Sequence, residues 1–315
     1  MNRLSERGLQ EGEVFVEACG VRLKAVIDAA PVGMGEGIEA GDSVLVLHGF
    51  TGSAESMEVV SATLRDHFRV IRLELIGHGG SESPKESRPY AMEACAEQIL
   101  EIVRALSLER PHLLGYSMGG RAAIAAAVAD PQRFSSLVLV GATAGIADPV
   151  LREERVAADR LLADRIESIP LAEFVDEWMA LPIFASQSRL GESALKRARD
   201  QRLANERTGL ANSLRGMGAG AQRPLFDRLE KIEAPVLLVV GEADEKFRDI
   251  AALLETRLRD ARTEIVSDVG HAVHLEAPET FGKLVAEFMA GVTDRDRARL
   301  TRIRNGASDA SRDRG

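Results

Sequence analysis

One segment of the chain, HLLGYSMGGRAAIAAA at 112 to 127, constrains the fold more than any other. A short apolar run leads into Gly115-Tyr116-Ser117-Met118-Gly119, and an Ala-rich helical run follows directly. A strand that turns into a helix within one residue needs small neighbours, because a side chain at Gly115 or Gly119 would collide with backbone. A serine at such a turn is held in a strained conformation with its hydroxyl exposed at the carboxyl edge of the sheet. The start of the helix behind it supplies positive potential. A tight Gly turn with an idle serine is the plain alternative, and the strand–helix context favours the activated one.

The flanking sequence repeats a strand–helix rhythm. SVLVLH at 43 to 48, FRVIRLEL at 68 to 75, SLVLVGA at 136 to 142 and PVLLVVG at 235 to 241 are short apolar runs typical of strands buried on both faces. TEIVSD at 263 to 268 reads as the last strand, and helical spacing recurs at 91 to 106, 247 to 259 and 278 to 290. This alternation implies βαβ units and a mostly parallel sheet flanked by helices. EVFVEA and VRLKAVID around Cys19-Gly20 read as a leading hairpin, and 31 to 42 as a Gly-rich connection.

The rhythm stops between 148 and 222, where the chain is charged, helical and strand-poor and carries its single tryptophan, Trp178. We read 13–147 and 223–291 as an α/β core and 148–222 as an inserted helical cap. Residues 1–12 and the Arg- and Asp-rich 292–315 read as tails without fixed structure.

The 315 residues suit one α/β domain with an insertion. A net charge of −9 argues against a nucleic-acid partner but leaves room for a small anionic substrate held by local arginines. The two cysteines, Cys19 and Cys95, are too few for a disulfide framework and read as buried or half-buried thiols in a reducing compartment. MNRLSERGLQEGE has no apolar stretch of the secretory kind, and no apolar run approaches a membrane span. The expected location is the cytoplasm.

A nucleophilic serine needs a base and a partner that orients the base. Asp244 follows the strand PVLLVV and His271 follows TEIVSD, so both belong in loops on the rim that carries Ser117. Glu242 and Asp268 are rival acids, one earlier in its turn and the other within its strand. His274, three residues past His271, packs against the rim or bonds Glu276 in this reading; HxxH without a third ligand is a weak metal signal. His67 and His112 read as ordinary surface or strand residues. Neither metal nor cofactor enters. The oxyanion hole needs two backbone N–H groups, expected from Met118 and from Phe50 in His48-Gly49-Phe50-Thr51-Gly52.

These motifs resemble those of the α/β-hydrolase fold. LHGFTGS, LIGHGGS, GYSMGGR, VDEWMALPIFAS, GLANSLRGMGAGAQRPLFDRL, GEADEKF and GHAVHLEAP together resemble the 2-succinyl-6-hydroxy-2,4-cyclohexadiene-1-carboxylate synthases of menaquinone biosynthesis. The likeness covers about residues 43 to 290; Ile76 departs from it, standing where the family often has proline. It implies a lyase that removes a proton from a cyclohexene ring and expels pyruvate, with Ser117, His271 and Asp244 as the proton-abstracting unit. A serine hydrolase of esters, lactones or carbon–carbon bonds is the alternative, since the three residues alone do not separate the reactions.

A substrate with several carboxylates demands fixed cations, and the planar fork of Arg suits them. Arg121 lies four residues past Ser117, one helical turn on. The resemblance adds Arg155 and Arg202 from the cap, with Trp178, Tyr116 and Lys246. Arg155 in REERVAADR also reads as a solvated helix face, Trp178 as plain cap core, and Arg202 has rivals in Arg197, Arg199 and Arg207.

Overall fold

The computed structural model describes residues 10–28 and 43–312, with side chains through 298. Most of the leading tail, the Gly-rich connection and residues 313–315 lie outside the described residues.

Among the described residues eight strands form one sheet: β1 (Gly12–Ala18), β2 (Val21–Ile27), β3 (Ser43–Leu47), β4 (Arg69–Leu73), β5 (His112–Tyr116), β6 (Leu137–Val140), β7 (Val236–Gly241) and β8 (Ala261–Val266). Their order is β1-β2-β4-β3-β5-β6-β7-β8. β1 and β2 form the leading hairpin, β2 runs antiparallel to β4, and the remaining pairs are parallel. The carboxyl ends of β3, β5, β7 and β8 therefore share one rim.

Each central strand divides its side chains between two cores, as the two-residue repeat requires. Leu45, Leu47, Leu113, Leu139 and Leu238 face one cluster. Val44, Val46, Leu114, Val138 and Val239 face the other. The first is covered by α2 (Met92–Ala105) and α3 (Met118–Ala129), together with α8 (Glu245–Glu255). The second is covered by α1 (Glu58–Leu64) and α10 (Pro278–Arg312), which follows the single turn α9 (Val273–Glu276). Burial on both sides explains why these strands lack polar alternation. Removing one of the buried leucines to Ala costs roughly 2–5 kcal/mol in such a core.

Between β6 and β7 the chain leaves the sheet through α4 (Pro149–Ser168), α5 (Leu171–Met179), a 3₁₀ segment at Pro182–Leu190, α6 (Glu192–Leu203) and α7 (Arg207–Met217). Asp148 starts α4 by accepting from the N–H groups of Val150 and Leu151 at 2.8 and 3.0 Å, with Pro149 at the first helical position. Ala163, Ile166, Phe174, Val175, Leu210 and Leu214 form a core of this region's own, and Phe50 and Trp178 pack against it.

Two expectations need correction. Residues 292 to 312 were expected without fixed structure, yet they continue α10. Val292 and Thr293 are buried there, the Thr293 hydroxyl meets His112 Nε2 at 3.1 Å, and Asp296 pairs with Arg110 at 3.1 Å. The Arg, Ala and Leu content of the stretch favours helix once its first turn is docked. Cys19, expected at least half-buried, sits exposed in the hairpin turn with φ +53°, while Cys95 is buried.

Candidate active site

The elbow is built as its glycines require. Ser117 has φ +52° and ψ −108°, a region that costs of order 1–3 kcal/mol and persists only when its surroundings fix it. Its N–H donates to the Val140 carbonyl at 2.8 Å. A Cβ on Gly115 would lie 2.4 Å from the Gly119 carbonyl oxygen, and one on Gly119 would lie 2.5 Å from the Leu47 carbonyl oxygen. Helix and strand meet here at a separation that no side chain fits.

Ser117, His271 and Asp244 come together on the rim. His271 Nε2 lies 3.1 Å from Ser117 Oγ, and His271 Nδ1 lies 2.6 Å from Asp244 Oδ2. The carboxylate accepts a proton-bearing Nδ1, which leaves Nε2 to accept the serine proton. The ring is boxed by Phe247 at 4.5 Å and Tyr116 at 5.4 Å between centroids. Of the rival acids, Glu242 accepts from the Asp268 N–H at 3.2 Å, and Asp268 is exposed.

His274 does not bond Glu276. Its ring packs 4.5 Å from Tyr116, and Glu276 instead accepts from the N–H groups of Gly270 and Ala272, which fixes the turn that carries His271. The HxxH pair is thereby divided between two roles. His112 is buried in its strand, with Nδ1 on the Ser136 hydroxyl at 2.7 Å.

The loop after β3 is held by a neutral histidine. Burial pushes the His48 pKa down to about 4, so Nδ1 donates to the Gly49 carbonyl at 2.7 Å and Nε2 accepts from the Leu75 N–H at 3.1 Å. Glu74, which sequence reasoning missed, is buried and accepts from the N–H groups of Ala54 and Gly80 at 3.2 and 2.6 Å. It ties the loops after β3 and β4 to each other. Gly49 lies against Tyr116, where a Cβ would stand 2.8 Å from the ring. Phe50 and Met118, the residues expected to supply oxyanion donors, line the same cavity as Ser117.

That cavity is about 230 Å³ and lies between cap and core. Tyr116, Arg121, Arg155, Trp178, Arg202 and Lys246 all line it. Arg121 Nη1 donates to the Met217 carbonyl at 2.6 Å and to Gln222 Oε1 at 3.0 Å. Burial, then the nearby Arg155, lowers its pKa to about 10, so it stays charged at neutral pH. Arg155 pairs with the buried Asp159 at 2.8 Å. Arg202 Nη1 donates to the Ala198 carbonyl at 2.6 Å, and burial lowers its pKa. Its rivals are elsewhere: Arg199 pairs with Asp176, and Arg207 donates to the carbonyls of Glu167 and Ile169. Trp178 stacks edge-on against Phe50 at 5.1 Å. Lys246 is exposed at the mouth with its ammonium 5.8 Å from the Phe247 ring centroid.

Gln222, Asp159 and Phe247 were also missed. Gln222 and Phe247 act through partners distant in sequence, Arg121 and His271, whereas Asp159 pairs with Arg155 at the i, i+4 spacing of one helix, a local signal. Among the described residues no helix is long and apolar enough to cross a membrane, and no group of three or more His, Cys, Asp or Glu side chains is placed to hold a metal ion.

Residues 42–278 match the family model of the α/β hydrolase fold. A Bacillus subtilis (strain 168) protein named as a 2-succinyl-6-hydroxy-2,4-cyclohexadiene-1-carboxylate synthase is 43% identical over 257 residues, covering 82% of this chain and 93% of the relative. The synthase of that name from Serratia proteamaculans (strain 568) is 29% identical over 244 residues, covering 77% of this chain and 91% of its own. The structure of MenH from S. aureus superposes with a TM-score of 0.79 at 27% identity, covering 85% of this chain and 98% of that one. The chain belongs to the α/β-hydrolase fold family and, within it, to the 2-succinyl-6-hydroxy-2,4-cyclohexadiene-1-carboxylate synthases.

Proposed function

We propose that this protein is the menaquinone-pathway lyase that eliminates pyruvate from 2-succinyl-5-enolpyruvyl-6-hydroxy-3-cyclohexene-1-carboxylate, with Ser117 as the base. The observation that carries the assignment of roles is the meeting of the Ser117–His271–Asp244 relay with three arginines on one cavity. The substrate has three carboxylates, and among the described residues no carboxylate pairs with Arg121 or Arg202. A site for neutral esters has no use for such cations.

The geometry supports the following course of reaction. His271 Nε2 takes the Ser117 proton, and Asp244 stabilises the imidazolium. The Ser117 oxygen takes the proton from the ring carbon beside the succinyl ketone. The electron pair enters the carbonyl, and the N–H groups of Phe50 and Met118 hold the resulting enolate oxygen. That pair then returns to form a ring double bond, the existing double bond shifts, and the bond from the ring to the enol-ether oxygen breaks. Pyruvate leaves as its enolate and takes a proton from the imidazolium. No acyl-enzyme forms, so Ser117 acts on hydrogen and not on a carbonyl carbon. The substrate is a small anion, and the two free thiols support a place in the cytoplasm.

Purified enzyme is given the enolpyruvyl substrate, and pyruvate is followed through lactate dehydrogenase and NADH. Release that depends on Ser117 is expected. Pyruvate at the uncatalysed background rate, with rapid turnover of a neutral ester, would return the site to the hydrolase reading.

A further inference from the structure

A second cavity of about 420 Å³ lies against the first. Phe50, Tyr116 and Arg202 line both and form the partition between them. α1 and its approach supply one wall, α6 the other, and His274 also faces it.

The chemistry of this chamber is unbalanced toward donors. Arg202 Nε is buried with no hydrogen-bond partner. His274 is 2% exposed, its Nδ1 has no partner, and a neutral imidazole still carries one N–H. The amide of Gln187 lines the chamber from a buried position, and Arg197 adds a second cation. The acidic residues on the wall do not cancel these charges: Glu58 is held by Arg72 at 2.7 Å, and Glu55 is exposed. Buried donors and a guanidinium without a carboxylate cost free energy unless something accepts from them. A small carboxylate with a second oxygen acceptor fits that need.

We propose that this chamber receives the three-carbon 2-oxo acid freed by the reaction, with its carboxylate on Arg202. The proposal rests on the pyruvate-eliminating reading given above. Arg202 belongs to both cavities, so a carboxylate crosses the partition without losing its cation. The six-membered ring product stays in the first cavity meanwhile. Release is then ordered, with the 2-oxo acid first and the ring product second.

The test uses sodium pyruvate and the whole enzyme. Binding is measured by calorimetry on the wild type and on Ala194→Phe and Ala62→Phe, which fill the chamber from opposite walls and touch only the second cavity. Both variants should weaken pyruvate binding about tenfold or more, with thermal unfolding as the check on folding. In steady-state kinetics added pyruvate should inhibit the wild type noncompetitively against substrate, and the pattern should turn competitive in the variants. Where a wall variant misfolds, the wild-type inhibition pattern decides. Unaltered pyruvate binding in both folded variants, or competitive inhibition of the wild type, overturns the chamber. Pyruvate formed from substrate while none binds overturns the chamber alone. Pyruvate bound while none is formed overturns the reaction, and with it the origin of the acid.

Discussion

Arg121, on the helix that the elbow launches, donates to the side chain of Gln222, on the segment that returns from the cap, with Nη1 and Oε1 3.0 Å apart. The same nitrogen donates to the Met217 carbonyl at the end of α7. A core cation that lines the catalytic cavity is therefore aimed by the end of the cap. Gln222 itself is buried, at 1% exposure, and does not line the catalytic cavity.

Gln222→Leu keeps the volume and removes the acceptor. Losing one buried hydrogen bond to a charged group costs about 1.5–3 kcal/mol, so KM should rise by roughly tenfold or more while kcat changes less. Gln222→Glu sets a carboxylate against Arg121 and should raise KM further. Steady-state pyruvate release checks both. Unchanged KM in the pair would show that Gln222 does not orient Arg121.

Asp244→Asn keeps the shape of the relay but can offer an amide N–H to His271 Nδ1 in place of an acceptor. The imidazole then adopts the wrong tautomer, and kcat should fall by about 10⁴-fold, as an equivalent change does in serine proteases. Thermal stability should hardly move. Activity within about tenfold of wild type would remove Asp244 from the relay.

Gly141 tests how closely the imidazole is placed. Its φ is +54°, and a Cβ there would stand 2.7 Å from His271 Cε1 and 2.9 Å from Nδ1. Gly141→Ala should push the ring off Ser117, and a displacement near 1 Å lowers turnover by about 10²-fold. The left-handed backbone should add a stability loss of about 1–2 kcal/mol. Kinetics and urea unfolding read the two effects separately.

Acid should destabilise the fold through its buried histidines. Burial lowers the pKa of His48 to about 4 and those of His78 and His274 to about 3. The unfolded chain binds these protons near pH 6.5, and the native state does not. The contribution is thus complete above about pH 6.5 and is lost as pH falls toward 4, at about 1.4 kcal/mol per pH unit for each group. Urea unfolding from pH 7.5 to 4.5 should show this slope, and His78→Leu should cut the histidine part by roughly one third. A flat profile would mean that these imidazoles titrate alike in both states.

The legible and illegible parts divide by range. The elbow was legible because strand, turn and helix are consecutive, and steric exclusion at Gly115 and Gly119 acts between near neighbours. The lyase family was legible because its motifs recur as short strings. The end of α10 was not, since its polar sequence becomes helical only where Val292, Thr293 and Asp296 dock on the core. For His274 the sequence left two places open, against the rim or on Glu276, and the fold chose the first by packing it on Tyr116.

The sequence by itself determined the α/β sheet, the position of Ser117 and the identity of its partners, because these follow from periodicity, turn sterics and motif order. Only the tertiary structure decided which cations line the cavity. Arg202 lines the cavity while Arg199 pairs with Asp176, and both lie on one helix with similar neighbours in sequence. What separates them is the direction each points when the cap folds over the sheet, and that direction is set by contacts between residues far apart in the chain.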